Sequence, residues 1–474
     1  MKLLVIAADA ACPDYIFGKK HLFPNLCKLI DSGASSAYSA YVQRGYRGSY
    51  SSEQNWASIY TGLPPEKHGI GAHRGIQETM PVMSSFQGLQ PLWQVINDAG
   101  LTVGLWQGDC LDDPVQVKGY VVSGRYTPIF TPSENREAKR TIQVSDKRME
   151  SYLEGDPPPR LYPRTLRQQG LRFEDIQANP SLIWQVANEK EFQPMLDNFE
   201  QELAYWFGAM SRVQREQPVD VMWWFTPTTD ILPHFTLWCE DNPVLIKAYQ
   251  MLDQYLGEFI REFSPENVIF LSDHGQKNFR EQIRCSNQEI AYEAFKAHDK
   301  VVWMDNGYLA FEALNGGLLF TAHSLNGVFI ASGNQIRQTE VTNMRTIDIY
   351  PTLLELLGVE IPDGRAGYVM DIFNRRVKNI AKLVQPGALQ HRQAALIQTH
   401  EISVMDVILN ELFLSSRFLK ITVIGEEKYE EIFRNNPRVT NFLPFEQFHP
   451  ESFDEIYCGF YNETTGSISH IRVR

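Results

Sequence analysis

Short apolar runs and longer amphipathic segments take turns along most of this chain. The runs at Leu3 to Ala8, Leu101 to Trp106, Val219 to Phe225, Asn267 to Leu271 and Gly327 to Ser332 are bounded by polar residues or glycine, the pattern of strands covered on both faces. Apolar positions recur at helical spacing in Pro24 to Ser32, Glu53 to Thr61, Leu92 to Ala99, Pro243 to Phe263 and Asp348 to Leu357. Gly62 and Gly358 stand where two of these helices should stop. Strand and helix in alternation predict an α/β fold, a mostly parallel central sheet with helices on both faces.

Two stretches break the pattern. From about Thr127 to Glu216 the chain is rich in Pro, Arg, Glu and Gln, includes the run Pro157-Pro158-Pro159, and reads as a cap inserted into the sheet domain. Within it, Trp184, Tyr205, Trp206 and Phe207 are candidates to stack on a base or cover an apolar leaving group, and Arg160, Arg164 and Arg167 to grip a phosphate. The plainer alternative is a solvated cap helix packed by its own aromatics. After about Val384 a helix (His391 to Ser416), a strand (Phe418 to Ile424), a helix (Glu426 to Phe433) and a hairpin around Asn462 to Gly466 predict a small α/β unit. The expected division is thus 1–384 for the main domain, with its cap at 127–216, and 385–474 for the accessory unit.

Composition narrows the partners. With 474 residues, 43% of them hydrophobic, the chain can bury a large core. A net charge of -13 and no basic stripe argue against a long nucleic-acid footprint. A small anionic ester remains compatible, because bound cations outweigh the net charge locally. Six scattered cysteines without a C-x-x-C pair suit reduced thiols, the first apolar run is already used as a strand, and no run of eighteen apolar residues occurs. These features predict a cytoplasmic protein with no membrane span; no sequence feature indicates an oligomeric state.

The candidate chemistry lies in Asp9, Ser52, Asp230, His234, Asp273, His274 and His323, each near the end of a predicted strand or the start of a helix. Together they have the donors to hold two metal ions. Mixed carboxylates and imidazoles suit zinc, with manganese or iron as alternatives, better than calcium or magnesium. Two such ions can clamp both sides of an in-line phosphoryl displacement. Each residue also has a plainer role. Asp9 can be a turn or helix cap, Ser52 an N-cap, and His323 a structural histidine. Asp230 and His234 are four apart, with Pro233 pointing to a loop or a helix start. Asp273 and His274 are adjacent, so both reach one ion only if the chain turns, which Gly275 permits. Asn55 stands one turn beyond Ser52 and is a candidate donor to a phosphate oxygen. A Walker loop and a Gly-x-Ser-x-Gly elbow are absent.

In this order, these residues resemble the alkaline phosphatase superfamily, and its nucleotide pyrophosphatase/phosphodiesterase branch in particular. The resemblance runs over about residues 1 to 375. It rests on Asp9, on Ser52 with Asn55 and Trp56 to Gly62, on Pro65 to Ile70, Asp230 to Trp238, Ser272 to Gly275 and His323, and on Thr346 to Leu354 with Gly358. It implies that Asp230, His234 and His323 hold one metal, that Asp9, Asp273 and His274 hold the other, and that Ser52 is both a bridging ligand and the nucleophile. Phosphate would attach to Ser52 and then pass to water. The family usually has Gly where this chain has Ala10, and the phosphodiesterase branch often has Thr at Ser52, which leaves monoester and diester substrates both open. The sulfatase pattern, Cys or Ser followed by x-Pro-x-Arg, is missing at Ser51 to Asn55. The expectation is a metal-dependent hydrolase of small phosphate esters, nucleotides among them. The alternatives are a phosphomonoesterase or a cofactor-independent phosphomutase of the same superfamily, or a binding protein on this fold. Asp406 to Val439 is similar to the first half of heptosyltransferase-type glycosyltransferases over too short a stretch to imply sugar transfer.

Overall fold

A computed structural model describes residues 1–40, 52–70, 82–108, 110–127, 137–278, 301–304, 309–312, 318–324, 326–342, 344–378, 393–398, 408–409, 420–434, 436, 438–462 and 467–472. Strand β1 (Leu3–Ala8) leads through α1 (Pro13–Ile16) and α2 (Pro24–Ser32) to β2 (Ala34–Ser39). Helices α3 (Ser52–Thr61), α4 (Pro65–His68) and α5 (Leu92–Asp98) precede β3 (Val103–Trp106), β4 (Gly119–Thr127), β5 (Glu137–Val144) and β6 (Arg160–Leu161). Next come α6 (Phe173–Ala178), α7 (Ile183–Val186), α8 (Glu189–Glu216), β7 (Val221–Thr226), α9 (Thr228–Thr236), α10 (Pro243–Phe263), β8 (Asn267–Leu271) and β9 (Gly275–Asn278). Short strands β10 (Val301–Trp303), β11 (Leu309–Glu312), β12 (Leu318–Leu319) and β13 (Thr321–Ser324) lead to β14 (Asn326–Gly333), β15 (Thr339–Glu340) and α11 (Thr346–Leu357). The C-terminal elements are β16 (Gln393–Ile397), β17 (Lys420–Gly425), α12 (Glu430–Arg434), β18 (Asn441–Pro444), β19 (Glu455–Asn462) and β20 (Ser467–Arg472).

The central sheet runs β15-β2-β14-β8-β1-β7-β3-β4-β5-β6. Its middle, from β8 through β1, β7 and β3 to β4, is parallel, while β14 pairs antiparallel to both β2 and β8. Every residue of β1, β7 and β8 is buried, because each of these strands is covered on both faces. Alternation along β1 sends Leu4, Ile6 and Ala8 into the core beneath α2, α8 and α10, and Leu3, Val5 and Ala7 into the core beneath α3, α5 and α11. The carboxyl ends of β1, β7 and β8 therefore open on one edge of a sheet held rigid from both sides. Gly62 ends α3 at φ +64°, and a Cβ there would lie 2.8 Å from the Tyr350 ring, so the residue serves both the turn and the packing of α3 against α11.

The structure departs from the sequence reading in three places. Gln393 to Ile397, expected to begin a helix, is strand β16, parallel to β17 and β19 at the centre of a five-stranded sheet ordered β18-β17-β16-β19-β20. A short apolar run is ambiguous between helix and strand, and the flanking parallel partners decided it. Of that expected helix, Ile408 and Leu409 are helical and the rest of 399–416 lies outside the described residues. The hairpin near the C-terminus pairs Asn462 with Ser467, its turn at 463–466 likewise outside them.

The second departure is in the 127–216 stretch. There β4, β5 and β6 extend the sheet, and α8 packs along α10. Trp206 and Phe207 are buried in the core, Phe207 lying 4.8 Å from the Trp224 ring, and Tyr205 donates to the Gly155 carbonyl. Arg164 is paired with the buried Glu191. Trp206 and Phe207 are thus spent on packing rather than offered to a base. Third, Pro233 sits inside α9 instead of starting it; the helix is held by Asp230 N–H to Pro227 O and Leu237 N–H to Pro233 O on either side. Among the described residues no helix is long and apolar enough to cross a membrane.

Candidate metal centre

The segments that follow β1, β7 and β8 at the carboxyl edge, the start of α3 and one strand pair assemble the candidate residues. Asp9 follows β1 directly. Its backbone N–H continues the sheet by donating to Thr226 O. Ala10 then turns the chain at φ +51°, a left-handed conformation that L-residues enter at a cost of about 1–2 kcal/mol. That turn aims the Ala10 N–H at Asp273 Oδ1, 3.1 Å away, so the position where glycine was expected does adopt a glycine-like backbone. After β7, α9 places Asp230 and His234 one turn apart on one helix face. After β8, Ser272, Asp273 and His274 form a bend before β9. The reason for glycine at 275 is close approach: a Cβ there would lie 2.5 Å from the Asn326 carbonyl oxygen. His323 lies within β13, paired with β9 so that His323 faces Gln276 in register.

The donors form two adjoining groups, Asp230 with His234 and His323, and Asp9 with Asp273 and His274, the ligand atoms of each within 4.8 Å of one another. In the first, Asp230 Oδ1 is 3.4 Å from His234 Nε2 and 3.2 Å from His323 Nε2, and the two nitrogens are 3.1 Å apart. In the second, His274 Nε2 is 3.1 Å from Asp273 Oδ2 and 3.0 Å from Ser52 Oγ. The rings of His274 and His323 stack at 3.9 Å, joining the groups. Ser52 is the first residue of α3, in the positive potential of a helix N-terminus.

Electrostatics distinguish the two groups. Burial, reinforced by Asp273 and Asp230, raises the Asp9 carboxyl well above the ordinary range, and burial pushes Asp273 up to about 8. Burial also opposes ionisation of Asp230, but the His234 and His323 imidazoles outweigh it and hold that carboxyl well below its usual value. Burial, together with the neighbouring His323, drives His274 well down, so its ring is neutral. A neutral His274 must donate from Nδ1 to Gly275 O, 3.1 Å away, because a carbonyl only accepts. Its Nε2 is then an acceptor, 3.0 Å from the Ser52 hydroxyl and 3.1 Å from Asp273 Oδ2, a buried oxygen without a hydrogen-bond donor among the described residues. His234 is oriented in the same way by Thr321 O, 3.1 Å from its Nδ1. Carboxylate and imidazole donors of this kind gathered within reach of one another repel in their ionised, metal-ready state unless protons or a cation lie among them, so the donor set fits divalent metal ions.

The structure brings Asp9, Ser52, Asp230, His234, Asp273, His274 and His323 together. Asn55 is carried by the same helix but is fully buried, and its Oδ1 accepts from the Thr346 hydroxyl at 3.4 Å, a contact that ties α3 to α11. The sequence reading missed the groups that hold the ligands. Trp56 Nε1 donates to Asp9 Oδ1 at 3.2 Å, and Gln276 and Thr321 brace Asp230 and His234. Alternation was the available signal for Thr321, which lies two residues before His323 on the same face of β13.

The family model for type I phosphodiesterase/nucleotide pyrophosphatase matches residues 3–317. No curated protein matches the chain. Among solved structures, human ectonucleotide pyrophosphatase/phosphodiesterase 5 is 16% identical, with 79% of this chain and all 100% of that one covered at a TM-score of 0.43. An inactive variant of the murine enzyme of that name, in complex with AMP, is 15% identical over 76% of this chain and 96% of that one, also at 0.43. A mutant of the alkaline phosphatase PafA is 14% identical over 78% and 98%, at 0.45.

Proposed function

This chain belongs to the type I phosphodiesterase/nucleotide pyrophosphatase family and is a phosphoester hydrolase, and from that premise we propose that it cleaves small phosphate esters through a phosphoserine on Ser52 at a site holding two divalent cations. One observation carries the reading. The Ser52 hydroxyl stands at the N-terminus of α3, 3.0 Å from His274 Nε2, where two groups of ligand-type donors meet. Asp230, His234 and His323 would hold one cation and Asp9, Asp273 and His274 the other, with zinc favoured by the imidazole content and manganese or iron as alternatives. When bound, the cations lower the pKa of the serine hydroxyl and offset charge on the phosphoryl oxygens.

Ser52 supplies the attacking oxygen. The bond from Oγ to phosphorus forms as the bond from phosphorus to the leaving oxygen breaks, and water then displaces Ser52 to release phosphate or a phosphomonoester. The α3 N-terminus favours the negative charge that Ser52 develops. Ala10 N–H and Trp56 Nε1 fix the carboxylates of Asp273 and Asp9 without adding charge. Asn55, one turn beyond Ser52, is the proposed donor to a phosphoryl oxygen through Nδ2, its Oδ1 being engaged by Thr346 of α11. The family description names nucleotide pyrophosphatases, which favours a nucleotide as the ester.

The test is turnover of p-nitrophenyl monoesters, diesters and nucleotide esters with zinc or manganese, on wild-type protein and Ser52→Ala. The variant should lose about a thousandfold or more in kcat, on the order of 4 kcal/mol, and still bind two equivalents of metal. Near-wild-type turnover in Ser52→Ala would refute the nucleophile, and a wild-type protein that binds no divalent ion would refute the metal centre.

A further inference from the structure

Gln276 is 1% exposed and sits beneath the Asp230, His234 and His323 group. Its Nε2 donates to Asp230 Oδ1 at 2.5 Å and to Asp230 O at 2.7 Å, and its Oε1 accepts from Thr321 Oγ1 at 2.5 Å. Both partners on Asp230 are pure acceptors, so the amide cannot be turned the other way. The Thr321 carbonyl in turn accepts from His234 Nδ1 at 3.1 Å, and β13, which carries Thr321, also carries His323, the register partner of Gln276. One buried amide thus links the carboxylate from α9, the imidazole from α9 and the strand that bears the second imidazole.

We propose that Gln276 is a positioning residue for the cation site formed by Asp230, His234 and His323, holding these ligands in register through a neutral hydrogen-bond path. The inference rests on the reading that those residues hold a cation. Neutrality is the point. Asp9 is held by the Trp56 indole, Asp273 by a backbone N–H and Asp230 by an amide, so each carboxylate is oriented without its charge being cancelled. A lysine or arginine at 276 would orient Asp230 but compete with the cation, and a glutamate would set one carboxylate against another. Methionine would fill the space and leave Asp230 Oδ1 without this donor.

The experiment is metal titration of the full-length chain as wild type, Gln276→Met and Gln276→Glu. Zinc affinities would be measured against a competing chelator, the cobalt(II) visible spectrum would report ligand geometry, and urea midpoints would be taken on metal-free protein. Gln276→Met should weaken one of two equivalents by about 10- to 100-fold, leave the other within about threefold, change the cobalt band and leave the metal-free midpoint near wild type. Gln276→Glu keeps the acceptor for Thr321 and replaces only the donor facing Asp230. It should weaken the same equivalent at least as much, and it decides the matter if the methionine variant does not fold. Unchanged affinities, or equal loss at both sites, would overturn the positioning role while leaving the two-cation reading intact. A wild-type protein that binds no divalent ion would overturn both.

Discussion

His68 offers a direct measure of how firmly α3, which carries the proposed nucleophile Ser52, is seated. It ends α4, which packs on α3, and its imidazole is buried between them. Nδ1 accepts from the Ile70 N–H at 3.0 Å, so Nε2 carries the proton and meets Ser58 Oγ at 3.0 Å. A second proton would put N–H against N–H at Ile70. Burial accordingly lowers the pKa from 6.5 to about 4, against a smaller opposing pull from the Gln54 backbone. The folded-state pKa lies below the unfolded one, so the unfolded chain binds more protons between pH 4 and 6.5. Stability is fully present above that window and falls as pH drops through it. A shift of this size corresponds to roughly 3 kcal/mol when complete, and about 2 kcal/mol at pH 5. The assay is the urea midpoint of metal-free wild type and His68→Asn at pH 8 and pH 5. The asparagine keeps a short acceptor for Ile70 and loses the Ser58 bond, so it should be less stable at pH 8 yet lose about 2 kcal/mol less than wild type on acidification. Other titrating groups cancel in the difference. Equal losses in the two proteins would refute the reasoning.

Two further substitutions test how the scaffold aims its ligands. Ala10→Gly should be nearly neutral in urea unfolding, within about 1 kcal/mol, because relief of the left-handed strain at φ +51° offsets the entropy of glycine in the unfolded chain; Ala10→Val should cost more than about 2 kcal/mol, since a β-branched residue is excluded there. Asp253, on α10, caps α2 through Leu26 N–H at 2.6 Å and Asn25 N–H at 3.1 Å, and Asp253→Ala should lower stability by about 2–4 kcal/mol, measured by urea unfolding at pH 7.

The parallel core of the fold was legible because β1, β7 and β8 are continuous apolar runs and α2, α10 and α11 carry clear helical periodicity. The antiparallel insertion of β14 between β2 and β8 was not, since strand direction leaves no trace in hydropathy and β2 reads Ala-Ser-Ser-Ala-Tyr-Ser. Helix α8 has the composition of a solvated cap. Its apolar residues, Phe199, Leu203, Trp206 and Met210 among them, instead fall on one face spaced to lie along α10. The convergence of the candidate ligands was legible from their positions after strand ends. What braces them was less so: Gln276 and Thr321 look like ordinary strand residues until β9 and β13 are seen to pair.

The two ligand groups differ in a way that bears on how such a centre can exist in a stable fold. Asp273 and His274 are wholly enclosed, whereas Asp230, His234 and His323 keep about a fifth of their side chains exposed, which makes the latter group the side from which an ester can approach. Enclosure is tolerable for Asp9 and Asp273 only if something positive compensates them. In the metal-free protein that role falls to protons, since both carboxyls are raised and Asp273 titrates near 8. Folded-state values above the unfolded ones mean that the contribution of these two carboxyls to metal-free stability is present in acid and is lost as pH rises through their folded-state values, opposite in sign to that of His68. Divalent cations at the proposed site would replace those protons with charge that does not leave at neutral pH. That enclosure makes stability sensitive to what Asp9 and Asp273 bind, and a cation at the proposed site would compete with protons for them.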